Sequence, residues 1–270
     1  MFFLQSKVKG GFMQTVGRAR CVRILVVLLL VCSIYVSVST TLAGPVNAPI
    51  RLADDVTVTK LAEGVWLHTT YYDIMGLKHV PANGLIVIDS RYAIMIDLPW
   101  TDKQTGVLFD WVAREHKAVI RKVVPTHSHI DCAGGLAEAH RRGADSFALQ
   151  KTVEILEKEN KPTPKNWFTE RMSLACEGIR IEPAFPGDGH TIDNIVVWIP
   201  KRKVLFAGCL VKALNARNLG NTKESDLVAY PKTLKKVIES YPYAEIVVPG
   251  HGQPGGIDLI EHTIKLCEGY

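Results

Sequence analysis

The stretch Pro125-Thr126-His127-Ser128-His129-Ile130-Asp131-Cys132-Ala133-Gly134-Gly135 sets two imidazoles and a carboxylate on alternate positions between an apolar run and two glycines. In an extended segment alternate side chains project to one side. His127, His129 and Asp131 are therefore predicted to face one pocket from a single strand exit. Imidazole and carboxylate groups are zinc ligands, held at about 2.0–2.2 Å. Alone, the pattern also suits ordinary polar groups at a turn. Three further segments raise the metal reading: Pro186-Gly187-Asp188-Gly189-His190-Thr191, Ala207-Gly208-Cys209-Leu210 and Val248-Pro249-Gly250-His251-Gly252. Each sets a donor after a predicted strand or inside a glycine turn, where backbone can come close to a metal.

The elements that must position these donors are legible from hydropathy. Val56–Thr59 and Val65–Thr69 alternate as strands do, and Tyr71-Tyr72-Asp73-Ile74-Met75-Gly76 reads as a hairpin tip. Two apolar runs, Leu85–Ile88 and Tyr92–Ile96, flank a turn at Asp89-Ser90-Arg91. Thr101-Asp102-Lys103-Gln104 is a capping box, and the helix after it carries Val107, Leu108, Trp111 and Val112 on one face. A buried strand, Val119-Ile120 with Val123-Val124, delivers the chain to His127. Gly134-Gly135 open a helix through Ala137, His140 and Arg141, and residues 150–159 are helical until Lys161-Pro162-Thr163-Pro164. Residues 179–206 are strand-rich. A helix (about 230–240), a strand (Ile246–Val248), the His251 loop and a last helix (about 256–268) follow. Residues 44–54 read as a loose leader. Strands followed by alternating helices and strands, twice over, predict two packed sheets with helices outside, an α/β chain.

The formal charge of +5 belongs to the N-terminus. Residues 1–43 hold Lys7, Lys9, Arg18, Arg20 and Arg23 and no acid; without them the chain has 27 basic and 27 acidic residues. A neutral remainder gives no reason to invoke nucleic acid. The basic stretch precedes an apolar run, Ile24–Val38, and then Thr41-Leu42-Ala43-Gly44-Pro45, the layout of a secretory signal peptide. We expect a signal peptide over 1–43, one domain over 44–270, export to the periplasm and no stable membrane association after cleavage. Cys132, Cys176, Cys209 and Cys267 remain after cleavage, with no disulfide framework in their spacing.

The donor segments, in this order, resemble the metallo-β-lactamase superfamily from about residue 55 to the C-terminus. The resemblance implies a four-layer αβ/βα sandwich. Cys132 after Asp131, and Cys209 where other branches carry aspartate, look like the first subclass of class B β-lactamases. By that likeness His127, His129 and His190 hold one Zn2+ ion, and Asp131, Cys209 and His251 hold the other. Lys212, three residues after the cysteine, is implied to meet the substrate carboxylate, and Asn221 to lie near the β-lactam carbonyl. Val80-Pro81-Ala82-Asn83-Gly84 and Ile96-Asp97-Leu98-Pro99-Trp100 also look like family landmarks. The implied reaction is hydrolysis of the β-lactam amide of penicillins, cephalosporins and carbapenems by a zinc-activated hydroxide, which Asp131 helps to orient. Residues 44–270 hold neither the S-x-x-K nor the K-T-G signature of serine enzymes. The resemblance implies an antibiotic-resistance hydrolase, expected to act as a monomer. Two alternatives stay open: another hydrolase on this fold, acting on thioesters, lactones or phosphoesters, and a non-catalytic zinc-binding protein of the cell envelope. Cys132 is expected to pack beside the metal. His68, His79, His116, His140 and His262 match no motif.

Overall fold

A computed structural model describes residues 48–269. The leader expected over 1–43 lies outside the described residues. Eight strands lie side by side in chain order: β1 (Ile50–Ala53), β2 (Val56–Ala62), β3 (Val65–Ile74), β4 (Leu77–Asp89), β5 (Tyr92–Ile96), β6 (Val119–Val124), β7 (Asp145–Leu149) and β8 (Asn166–Phe168). β1 to β5 run antiparallel, as tight turns allow. β5 to β8 run parallel and so need crossovers. These are α1 (Asp102–His116), the pair α2 (Ile130–Ala133) and α3 (Leu136–Arg141), and α4 (Gln150–Lys158). A five-stranded sheet follows, from β9 (Leu174–Cys176), β10 (Ile179–Ala184), β11 (Val196–Ile199), β12 (Val204–Gly208) and β13 (Ile246–Pro249), in the spatial order β13-β12-β11-β10-β9. α5 (Tyr230–Ser240) connects β12 to its parallel neighbour β13, and α6 (Asp258–Cys267) closes the chain.

Alternation along the strands sorts the core into three apolar layers. In the large sheet Ile86, Ala93 and Met95 point toward α1 and α3, packing on Leu108, Trp111, Val112 and Leu136. Their neighbours Leu85, Val87, Ile94 and Ile96 point the other way, onto Val197, Ile199, Val204, Phe206 and Val248 of the small sheet. On that sheet's far face Val196, Leu205, Ala207 and Val247 meet Leu234, Val237, Leu259 and Ile260 of α5 and α6. Helix, sheet, sheet, helix is the expected αβ/βα sandwich, and it arises because both sheets are apolar on both faces. Thr101 caps α1, its hydroxyl accepting from the Gln104 amide at 3.3 Å.

The structure departs from expectation in three places. The leader predicted over 44–54 contains β1, which pairs with β2. β7 was not foreseen, because Asp145-Ser146-Phe147 carries too little alternation; β8 and β9 have only three residues each. Finally, the donor segment is not an extended strand exit. β6 stops at Val124, His129 is the extended N-cap of α2, and Asp131 sits in that helix's first turn. The turn divides the three donors between two neighbouring groups.

Candidate metal centre

Parallel pairing aligns strand ends. β5 and β6 finish side by side, leading to Asp97 and His127; β12 and β13 finish side by side, leading to Cys209 and His251. Backbone hydrogen bonds tie the exits together: Asp97 N–H to Val124 O (2.9 Å), Ile195 N–H to Thr126 O (2.9 Å), Asn83 N–H to Gly250 O (2.8 Å) and Gly250 N–H to Gly208 O (2.7 Å). The Asn83 amide also donates to Pro249 O and Gly252 O, at 3.0 and 2.7 Å. Two sheets are thus clamped where ligands of open α/β folds collect, beyond the carboxyl ends of strands. Gly250 is required here: a Cβ on it would lie 2.4 Å from the Cys209 sulfur.

His127, His129 and His190 form one group, their ligand nitrogens within 4.8 Å of one another. The rings meet edge-on, with centroids 4.6, 5.2 and 5.6 Å apart. Burial and the neighbouring charges of Lys212 and His127 hold His190 well below the usual histidine range, so it stays neutral as a ligand must. His127 Nε2 is buried with no hydrogen-bond partner. A buried imidazole nitrogen without a partner is costly, and a bound cation satisfies it. His129 Nε2 contacts Glu224 Oε2 at 2.8 Å, which leaves Nδ1 to face the group. Ser225 Oγ donates to His190 O at 2.8 Å, so the same loop holds two of the three histidines.

Asp131, Cys209 and His251 form the second group. Asp131 Oδ2 lies 3.4 Å from Cys209 Sγ and 3.1 Å from His251 Nε2, and Cys209 Sγ lies 3.4 Å from that same nitrogen. His251 Nδ1 bonds Pro81 O, which fixes the ring with Nε2 inward. Burial drives the Asp131 carboxyl upward, but the bond from His251 and the charges of His127, His251 and His129 outweigh it and hold it well below the usual carboxylate range. The Cys132 thiol beside Cys209, with His251, holds the Cys209 thiol well below its ordinary value. An ionised carboxylate, a thiolate and an imidazole within 3.4 Å of one another are a donor set for zinc. Both groups fit the ion that the resemblance implies.

Two supporting residues were missed as site residues. Asp97, within a stretch noted only as a landmark, is completely buried at a left-handed backbone angle (φ 54°). Its carboxylate accepts from Thr126 N–H at 2.6 Å, Thr126 Oγ1 at 2.9 Å and Cys132 Sγ at 3.1 Å. A strained, buried carboxylate is kept where the surrounding structure over-determines it, and here it braces the loop bearing His127 and His129. Its signal was an acid in an apolar run before proline. Glu224 gave no signal, because its contact with His129 spans 95 residues. Cys132 packs beside the second group, as expected.

Both groups open into a cleft of about 750 Å³. Lys212 lines it, its ammonium donating to Cys209 O at 2.9 Å; burial lowers its pKa while the charges of Cys209 and Asp131 oppose that. Asn221 lies on the rim and accepts from Lys223 N–H at 3.3 Å. Ile74 and Met75 of the β3–β4 hairpin also line it, and Met75 is 82% exposed. Tyr72 stacks on Trp100, with centroids 5.7 Å apart. The five histidines without a motif stay outside both groups; His68 lies buried with Nε2 on Asp97 O at 3.1 Å.

The comparisons with known proteins agree with this geometry. The family model described as Metallo-beta-lactamase superfamily matches residues 80–251, which span every donor. A Metallo-beta-lactamase type 2 of Bacteroides fragilis is 37% identical over 237 residues, covering 88% of this chain and 95% of the relative. Metallo-beta-lactamase IND-1 of Chryseobacterium indologenes is 33% identical, over 81% of this chain and 91% of its own length. The solved metallo-beta-lactamase from Pontibacter korlensis superposes with a TM-score of 0.77 at 39% identity, covering 80% of this chain and 100% of that structure. Likeness at this level over nearly whole chains, on a fold that brings six spaced donors together, leaves one conclusion: this chain belongs to the metallo-beta-lactamase superfamily.

Proposed function

We propose that the protein is a dizinc β-lactamase that opens the amide of penicillins, cephalosporins and carbapenems. The observation that carries this is the pairing of two donor trios, His127–His129–His190 and Asp131–Cys209–His251, under one cleft lined by Lys212. Its relatives are named metallo-beta-lactamases.

When bound, zinc makes water a nucleophile at neutral pH, its pKa falling to about 7, and polarises the amide carbonyl. The chain's own residues do the rest. His127, His129 and His190 would hold one ion without adding charge; Asp131, Cys209 and His251 would hold the other and reduce its net charge. Asp131 would orient the attacking water, since its Oδ2 lies against both Cys209 and His251 and His129 stands two residues before it in the chain. The Lys212 ammonium, which lines the cleft three residues after Cys209, takes the carboxylate on the fused ring. Asn221 on the rim directs the lactam carbonyl. Ile74 and Met75, which line the cleft from the hairpin, cover apolar side groups of the substrate. Lys212 argues for a substrate bearing a carboxylate and so against neutral lactones and thioesters as the main substrates.

The apolar leader and basic N-terminus support export to the periplasm by a cleaved signal peptide, after which the protein works as a soluble monomer. Among the described residues no helix is long and apolar enough to cross a membrane. The test is hydrolysis of a penicillin, a cephalosporin and a carbapenem by purified protein, before and after EDTA and with zinc restored. All three substrates should be turned over, and EDTA should abolish activity reversibly. Turnover that survives complete zinc removal would overturn the mechanism.

A further inference from the structure

Asp131 and Cys209 belong to a second grouping as well. The ligand atoms of His127, Asp131, Cys132 and Cys209 all lie within 4.8 Å of one another, and all four residues are buried. The zinc reading uses three of them and gives Cys132 no task. Yet Cys132 holds a definite place: its sulfur donates to Asp97 Oδ2 at 3.1 Å and lies 3.8 Å from Thr126 Oγ1. Its neighbour in the chain is Asp131, so the first turn of α2 presents two donors in succession.

Donor chemistry separates this set from the zinc trios. Adding Cys132 to Cys209 makes two sulfurs, an oxygen and a nitrogen, and paired thiolates favour soft, polarisable cations over harder ones. Zinc, with bonds of about 2.0–2.3 Å, draws its donors to within about 3.5 Å of each other. The Asp131–Cys209–His251 trio already has that spacing. The Cys132 set keeps the Asp131–Cys209 pair of that trio at 3.4 Å and differs from it in replacing the His251 nitrogen by a second sulfur and the His127 nitrogen.

We propose that His127, Asp131, Cys132 and Cys209 form an alternative four-donor site that takes a soft d10 cation, with Cd2+ as the probe. On binding, each sulfur forms a sulfur–metal bond: Cys209 binds as the thiolate it already is, and the Cys132 thiol, which donates to Asp97 Oδ2, gives up its proton to solvent; no electrons are exchanged. The site borrows His127 from one zinc trio and Asp131 and Cys209 from the other, so its occupation excludes the zinc arrangement. The inference rests on the reading of these residues as metal donors, but not on the reaction assigned to them.

The full-length folded protein, stripped by a chelator and kept reduced with a phosphine, is titrated with CdCl2 while the ultraviolet sulfur-to-cadmium charge-transfer band is followed. At saturation the unaltered protein should show about twice the band of Cys132→Ser, because each bound thiolate adds its own transition. Cys209→Ser should fall by the same factor and the double variant should show none. An equal band in the unaltered protein and Cys132→Ser would overturn the proposal while leaving the zinc assignment standing. Failure of both Cd2+ and Zn2+ to bind the unaltered protein would overturn both. Thermal melts followed by circular dichroism check that each variant is folded. Should Cys132→Ser fail to fold, cadmium NMR of the unaltered protein decides between one and two sulfur ligands from the shift alone.

Discussion

Cys209 holds its place through its neighbours more than through its own chemistry. Isolated, a buried cysteine is a small hydrophobe; 3.4 Å from Asp131 and His251 it is a candidate metal donor. Cys209→Ser is therefore expected to bind one zinc tightly and to lose the second, seen as a drop from two ions to one in metal analysis, with activity down at least tenfold. Two tightly bound ions and full activity would refute the assignment. Glu224→Gln tests a different kind of dependence. Its carboxylate, 60% exposed, holds His129 through one bond. Partners that orient ligating histidines typically matter about 10- to 100-fold for metal affinity or activity, so the loss should appear in affinity at the three-histidine site, measured by chelator competition. Lys212→Ala should raise KM about tenfold or more while kcat changes less, as expected for losing a charge-assisted bond to the substrate. An equal fall in kcat with KM unchanged would remove Lys212 from substrate binding.

The elements matter chiefly through where they stop. β6, β12 and β13 each end one to three residues before a donor. The exits stay in register because Gly250 lets the β13 exit lie against Cys209. Gly250→Ala puts a carbon 2.4 Å from that sulfur, so the loop must shift. We expect it to abolish the second metal group while the fold, read by circular dichroism, survives. Retained affinity for two ions would show that the loop has more freedom than its hydrogen bonds suggest. The long, apolar strands were legible in the sequence, because alternation survives without knowledge of partners. The turn of α2 was not. Asp131 reads as the third member of an alternating strand, and only the capping geometry at His129 turns it toward Cys209 and His251.

At the scale of the whole molecule, the site and its foundation respond to acid together. His68 lies fully buried beneath Asp97, and burial pushes its pKa down to about 4 from 6.5 despite backbone bonds to Asp97 and Ile96. The unfolded chain takes up this proton near pH 6.5 and the folded one resists it until about 4. Stability from this group is thus intact above pH 6.5 and falls as pH drops toward 4, by about 3 kcal/mol in all. Urea unfolding in chelator at pH 7 and pH 5 should show a smaller loss in His68→Gln than in the unaltered protein. Equal losses would assign the acid sensitivity elsewhere. The sequence by itself determined the fold class and the family and pointed to six candidate donors, because ligand types and strand alternation are local properties that spacing preserves. That Glu224 contacts His129, that Asp97 takes hydrogen bonds from Thr126 and Cys132, and that the turn of α2 brings Asp131 beside Cys209 and His251 were decided only by tertiary structure. Those relations join residues from separate strands and loops, and a contact between side chains far apart in the chain exists only once two sheets have packed and their strand ends have met.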